Sequence, residues 1–204
     1  MTKISAAFFF LVLFFNCCNA QKVETIHLGT ATATRVNTDF YIDIVEDQRA
    51  DKTYIGTVHK GLEKTKYSAR LGISFTKEIK RFLEKTYSKT TTKRPLKLLI
   101  HELWITEKTV VIPESASLEL IVEVQEMRDS IYVSLGFYEQ LINVKGGGNV
   151  TKKHPENIRK GLLACLKDFA VGKPTEAIDM ELPKLSFINA VSYTHLTLPT
   201  ILLV

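Results

Sequence analysis

From Ser117 to Val144 the chain reads SLELIVEVQEMRDSIYVSLGFYEQLINV, and its apolar residues recur at every second position. That is the period of a half-buried strand, because successive side chains on extended backbone point to opposite faces. Leu118, Leu120, Val122 and Val124 fall on one face, while Glu119, Glu123 and Gln125 fall on the other. Arg128-Asp129 supplies a turn, and Ile131, Val133, Leu135 and Phe137 repeat the alternation on the way back. The stretch predicts an antiparallel hairpin with a continuous apolar face. Burial of each such side chain contributes about 1.5–3 kcal/mol, so the face requires a cover.

Two amphipathic stretches can provide that cover. Ser74 to Tyr87 carries Phe75, Ile79, Phe82, Leu83 and Thr86 at helical spacing, with Ser74 placed to cap the first turn. Pro155 to Phe169 carries Ile158, Leu162, Cys165, Leu166 and Phe169, opens on a proline that the first turn tolerates, and is stopped by Gly172 and Pro174. Asp39 to Val45, Tyr54 to Val58 and Leu96 to Glu107 read as further strands, the last apolar on both faces and therefore central. Lys22 to Arg35 is a marginal strand or extended arm, and Gly61 to Ser68 a polar connector. The expected fold is α+β, a mostly antiparallel sheet of about four to five strands with two helices on one face.

The ends of the 204-residue chain differ from its middle. Met1 to Ala20 has one early charge, Lys3, then an apolar run from Ile4 to Phe15, the pattern of a secretory signal. That run is shorter than the roughly twenty residues that span a bilayer, so no transmembrane span is expected in the mature chain. Two processing outcomes stay open: cleavage after Ala20, or lipidation at Cys17 or Cys18. Residues 21–172 then form a single α+β domain and 173–190 a linker or the start of a truncated region. Val191 to Thr200, VSYTHLTLPT, resembles a translation of the mosaic-end adaptor used in transposase-based sequencing libraries, so 191–204 is read as foreign to the natural chain.

Composition narrows the function classes. The net charge is +5, with basic and acidic residues interleaved, which describes a solvated surface and not a nucleic-acid stripe. After cleavage Cys165 is the one remaining cysteine, so the fold rests on packing without an internal disulfide. None of His27, His59, His101, His154 or His195 stands at metal-ligand spacing. His101 and Glu102, as strand neighbours, are expected on opposite faces. No catalytic residue, cofactor or metal is expected. The constellation that stands out is Asp47, Arg49 and Asp51, followed by Gly56, where a strand leaves the sheet. Arg49 there either locks the loop through a bidentate carboxylate pair or contacts an anionic headgroup or partner.

The signal-like start, the Asp47-x-Arg49 segment with Ile55-Gly56, the helix, the long hairpin and the final helix together resemble the YajG-like and ABC-transporter-auxiliary lipoproteins of Gram-negative envelopes, over Asp39 to Ala170. The resemblance implies a periplasm-facing or outer-membrane-associated, non-enzymatic accessory of outer-membrane or lipid transport, with an envelope protein or anionic lipid as partner. The expected function is that of an exported, non-catalytic binding or assembly module. The alternatives are the N-terminal domain of a longer secreted enzyme and a small-ligand (lipid) carrier with a pocket between helix and sheet.

Overall fold

The computed structural model describes residues 22–29, 35–72, 74–109 and 113–175. The signal-like segment, most of the 173–190 linker and the adaptor-like tail lie outside the described residues. Among the described residues, seven strands and two helices follow in the order β1 (Val23–Ile26), β2 (Phe40–Asp47), β3 (Gly56–Lys60), β4 (Thr65–Leu71), α1 (Phe75–Thr86), β5 (Arg94–Lys108), β6 (Glu114–Arg128), β7 (Ile131–Gly146) and α2 (His154–Ala170). A 3-10 turn over Val150–Lys153 leads into α2.

The sheet is therefore larger than expected and mixed. Its strand order is β1-β4-β3-β5-β6-β7, with β2 also paired to β5. Three pairings are antiparallel, β3 with β4, β5 with β6 and β6 with β7. Three are parallel, β1 with β4, β2 with β5 and β3 with β5. The missed strand is β4, which lies largely in the stretch read as a connector. Its lysine, serine and arginine alternate with Ala69 and Leu71, both core residues at 0% and 4% exposure, and this short alternation is diluted by polar residues on its other face. The marginal arm becomes β1 because β4 offers it an edge to pair with.

The fifteen-residue β5 carries the sheet. One edge of it pairs with β6 from Leu96 to Lys108. The other is shared: residues 94–100 pair with β2, and Ile105 meets Gly56 of β3. Both helices cover one face, α1 against β2 and β4, α2 against β6 and β7. They close over a single core holding Ile79, Phe82, Leu83, Ile158, Leu162 and Leu166 with Leu98, Ile100, Leu103, Leu118, Leu120 and Val122. Where the helices converge, Phe40 stacks on Tyr87 at 5.4 Å and meets Phe169 edge-on at 5.1 Å, and Phe169 meets Tyr138 at 5.8 Å. The segment just past β1 is held from both sides: Leu28 donates its N–H to Glu78 of α1 at 2.9 Å and accepts from Arg159 of α2.

The hairpin departs from strict alternation. Its turn centres on Asp129 and Ser130, both at positive φ (46° and 67°), not on Arg128-Asp129; two left-handed residues match the twist of the flanking strands. A register shift after Val124 sets Val124 opposite Gly136 and Gln125 opposite Ser134, which leaves Leu135 as the extra residue. Parity flips there. Tyr138 and Ile142, not Phe137, face the helices, opposite Val122 and Leu118. Ile131 and Val133 project past the helical cover, 68% and 38% exposed. A second bulge at His101, between Ile100 and Glu102, has the corresponding effect on β5. Ile100 and Leu103 are both fully buried, so His101 and Glu102 both turn from the helices and are not on opposite faces.

The helices lie close to their predicted positions, although the Ser74 side chain makes no capping bond. Thr175 lies against β7, donating its N–H to the Phe137 carbonyl at 2.8 Å and accepting from Glu139 N–H at 2.9 Å. α2 packs tightly on the sheet at Gly161, where a Cβ would stand 2.8 Å from Leu118 Cδ2. Gly161→Leu should cost about 1–3 kcal/mol through overpacking, seen as a lower midpoint in urea unfolding. One turn on, burial pushes the Cys165 thiol up to about 12, with Asp168 adding to the shift. Iodoacetamide at pH 8 should therefore leave Cys165 unlabelled in the native protein and label it in denaturant.

Candidate functional site

The four candidate residues of the crossover come together, and all of them serve the loop. The chain leaves β2 as Gln48 donates to the Ile100 carbonyl at 2.9 Å, and rejoins β5 where Ile105 N–H reaches the Ile55 carbonyl at 2.7 Å. Arg49 spans the interval. Its Nε and Nη2 donate to the two oxygens of Asp47, each at 2.9 Å, and Nη1 donates to the Tyr54 carbonyl at 2.8 Å. The guanidinium stands 3.8 Å from the Phe75 ring centroid, and the residue is 4% exposed. Asp51 accepts from Thr53 N–H at 2.8 Å and closes a local turn. Gly56 has φ 132°, and a Cβ there would lie 2.0 Å from the Ile105 carbonyl oxygen. Of the two roles for Arg49, the structural lock accounts for this geometry.

The bulge on β5 gathers a second polar group on the face turned away from the helices. His101 Nε2 lies 2.9 Å from Glu123 Oε2, its ring 5.3 Å from that of Phe137, and Gln125 donates to Glu123 at 2.8 Å. Burial alone would raise the Glu123 pKa, yet hydrogen bonds from Gln125, His101 and Ser134 hold it below the ordinary carboxylate value. Glu102 next door moves the other way. Burial and the neighbouring Glu119 raise it, with Arg49 opposing.

A third group, unmarked in the sequence, lies at the end of the sheet where β3, β5, β6 and the 3-10 turn meet. Glu107, buried on β5, is its centre. His154, fully buried at the start of α2, places Nε2 3.1 Å from Glu107 Oε1. The His59 backbone N–H donates to Glu107 Oε2 at 2.7 Å, and His59 Nδ1 lies 3.7 Å from the same oxygen. Burial works against the Glu107 charge, but hydrogen bonds from His154, Thr151 and the His59 N–H hold its pKa below the ordinary 4.5. Beside it a cleft of about 330 Å³ is lined by His59, Gly61, Leu62, Lys64, Glu107, Glu114, Asn149 and Val150. Lys64, held at φ 51° in the β3–β4 turn, pairs with Glu114 Oε1.

His59 Nδ1, Glu114 Oε2 and His154 Nδ1 in this group, and Asn157 Nδ2 one turn along α2, are buried atoms without a hydrogen-bond partner. Such atoms are uncommon in folded proteins and ordinarily costly. Sequence reasoning missed the group because its members are drawn from positions 59 to 154 and share no local spacing. The one available signal was a carboxylate, Glu107, at an inward position of a strand otherwise apolar on that face. Among the described residues, no group of three His, Cys, Asp or Glu is placed to hold a metal ion, and no helix is long and apolar enough to cross a membrane.

No protein-family model matches the chain and no curated protein matches it, so the resemblance to YajG-like lipoproteins gains no support from either. Among solved structures, the crystal structure of protein XCC0632 from Xanthomonas campestris, described under the family model DUF330, is similar at a TM-score of 0.37 and 8% sequence identity, over 74% of this chain and 95% of that one. A likeness at this level carries neither family nor function.

Removing the Arg49 side chain takes two charged donors from Asp47, which keeps only the residue-49 backbone N–H at 3.2 Å, and one from the Tyr54 carbonyl, so Arg49→Ala should lower stability by about 3 kcal/mol in chemical denaturation. Arg49→Lys should recover only part of that loss, because an ammonium cannot reproduce the planar fork. Glu107 has its folded-state pKa below 4.5. Its contribution is therefore present above that pH and is lost as pH falls through the folded value. Glu107→Gln should cost about 1–3 kcal/mol at pH 7, and the gap to the parent should narrow as pH falls below 4.5, read from urea unfolding at each pH.

Proposed function

We propose that this protein is an exported, non-catalytic binding module of the cell envelope, and that it engages a small ligand in the cleft beside Glu107 and Glu114. The observation that carries the reading is Glu114 Oε2, a buried carboxylate oxygen without a partner, on a residue that lines a cleft. A fold whose core is otherwise closed has reason to keep such an atom where a ligand can supply the missing hydrogen bond. The signal-like N-terminus and the resemblance to envelope lipoproteins support the location. The cleft does not suit an acyl chain, because two carboxylates and a lysine line it, so the lipid-carrier alternative is set aside in favour of a polar ligand.

An assembly role has a separate observation in its favour. Ile131 and Val133, exposed by 68% and 38%, share one face at the free end of the β6–β7 hairpin, with Met127, 45% exposed, on the other, and exposed apolar side chains are commonly contact residues. Ile131→Lys should leave unfolding unchanged, and it should alter the mass measured by size-exclusion light scattering if the tip joins copies.

The binding reading is tested by thermal unfolding of the purified protein against amines, carboxylates, sugars and nucleotides. A ligand of the folded state stabilises it by RT ln(1 + [L]/Kd) and so raises the midpoint. At least one class should do so, and Glu114→Gln should remove the effect. If every class leaves the midpoint unchanged at millimolar concentration, the cleft is a structural feature and the reading fails.

A further inference from the structure

We propose that the cleft selects a small organic cation, an alkylamine whose ammonium group bonds to the free oxygen of Glu114. The inference rests on the cleft being a ligand site and identifies the chemistry it accepts.

Charge decides first. The ionisable lining residues are His59, Lys64, Glu107 and Glu114. Lys64 supplies one positive charge against two carboxylates, which leaves a surplus negative charge whenever His59 is neutral. Glu107 is held as a carboxylate, tied by His154 Nε2 at 3.1 Å and the His59 N–H at 2.7 Å. An anion would face both carboxylates in a partly dry site, where repulsion is weakly screened. A neutral donor would leave the surplus charge uncompensated.

Hydrogen bonding then restricts the ligand to a donor. Lys64 occupies Glu114 Oε1 and leaves Oε2, whose atom is buried and unpaired. An ionised carboxylate accepts only, and an ammonium donates three hydrogen bonds without accepting any. A bare divalent metal is disfavoured by geometry, since no three His, Cys, Asp or Glu side chains among the described residues surround a common point. The chain already shows what Glu114 takes, because the partner on its other oxygen is itself an alkylammonium, that of Lys64.

Size and wall chemistry set the rest of the molecule. About 330 Å³ lies at the lower end of the range for small-molecule sites. Gly61, Leu62 and Val150 add uncharged wall beside the charged residues, which suits a short hydrocarbon body. Lys64 stands over the site from a turn residue at φ 51°, and its side chain is 39% exposed. Its ammonium holds the other oxygen of the same carboxylate, so it competes with the incoming amine for the charge of Glu114.

The test compares n-butylamine and 1,4-diaminobutane with butyrate and 1-butanol, using ligand-observed NMR and calorimetry on the purified protein at pH 8. The two amines should bind, and the acid and the alcohol should not. Glu114→Gln should weaken amine binding at least tenfold while the circular-dichroism spectrum stays that of the parent. Lys64→Ala should tighten it several-fold by removing the internal competitor, and this arm carries the test if the Glu114 variant is unstable. Butyrate binding that Glu114→Gln leaves intact or strengthens would overturn the amine assignment while leaving the cleft a ligand site. Amine binding indifferent to both substitutions would place it elsewhere and overturn the proposal. Absence of binding by all four probes, together with an unshifted thermal panel, would remove both the proposal and the binding reading.

Discussion

The structure depends on β5 having two different partners along one edge. A strand of fifteen residues is too long for either β2 or β3 alone, so the two lie end to end beside it, and the chain between them must bridge β5 without leaving polar backbone stranded. Arg49 makes that bridge workable. It is buried, but its three bonds to Asp47 and the Tyr54 carbonyl and its stacking on Phe75 satisfy the charge where it lies. An isolated buried guanidinium would be strongly unfavourable. Gly56 completes the passage because the Ile105 carbonyl beside it leaves no room for a Cβ.

The bulges distribute chemistry between the faces. Each inserts one residue and reverses the parity of the strand beyond it. On β5 the bulge brings His101 and Glu102 to the face away from the helices, beside Glu119 and Glu123 from β6. On β7 the bulge at Leu135 sends Phe137 to the same face, where its ring meets His101. The helical face meanwhile keeps Leu98, Ile100, Leu103 and Ile105 of β5 and Tyr138 and Ile142 of β7, with Gln140 between the last two donating to Asp168 of α2 at 2.8 Å. The opposite shifts of Glu102 and Glu123 are a consequence of this arrangement: the former is half-buried and crowded by Glu119 with Arg49 opposing, whereas the latter receives three hydrogen bonds.

The cleft lies where the packing logic runs out. Beyond Ile105 the inward position on β5 is Glu107, past the apolar cover, and the 3-10 turn and the first residue of α2 close over it instead. His154 and the His59 backbone neutralise part of the cost of burying Glu107, and Lys64 does the same for Glu114. The orphan atoms that remain mark places where the chain does not complete its own hydrogen bonding; of their residues His59 and Glu114 line the cleft, whereas the interior between helices and sheet is filled by apolar side chains.

By itself the sequence determined the amphipathic elements, both helices, the β6–β7 hairpin and the central position of β5, and it singled out Arg49 and Gly56 in a loop where a strand leaves the sheet. Periodicity and local chemistry carry that information because each signal is complete within a few turns or strand repeats. Tertiary structure alone decided the rest. β1 and β4 are strands because each finds an edge, two of the three parallel pairings arise from how β2 and β3 share β5, and bulge positions depend on register between strands. The Glu107, His154, His59 and Glu114 group exists only after residues from one end of the domain to the other meet. No spacing in the chain encodes that meeting, since it is the sheet and the helix packed on it that set the distances among them.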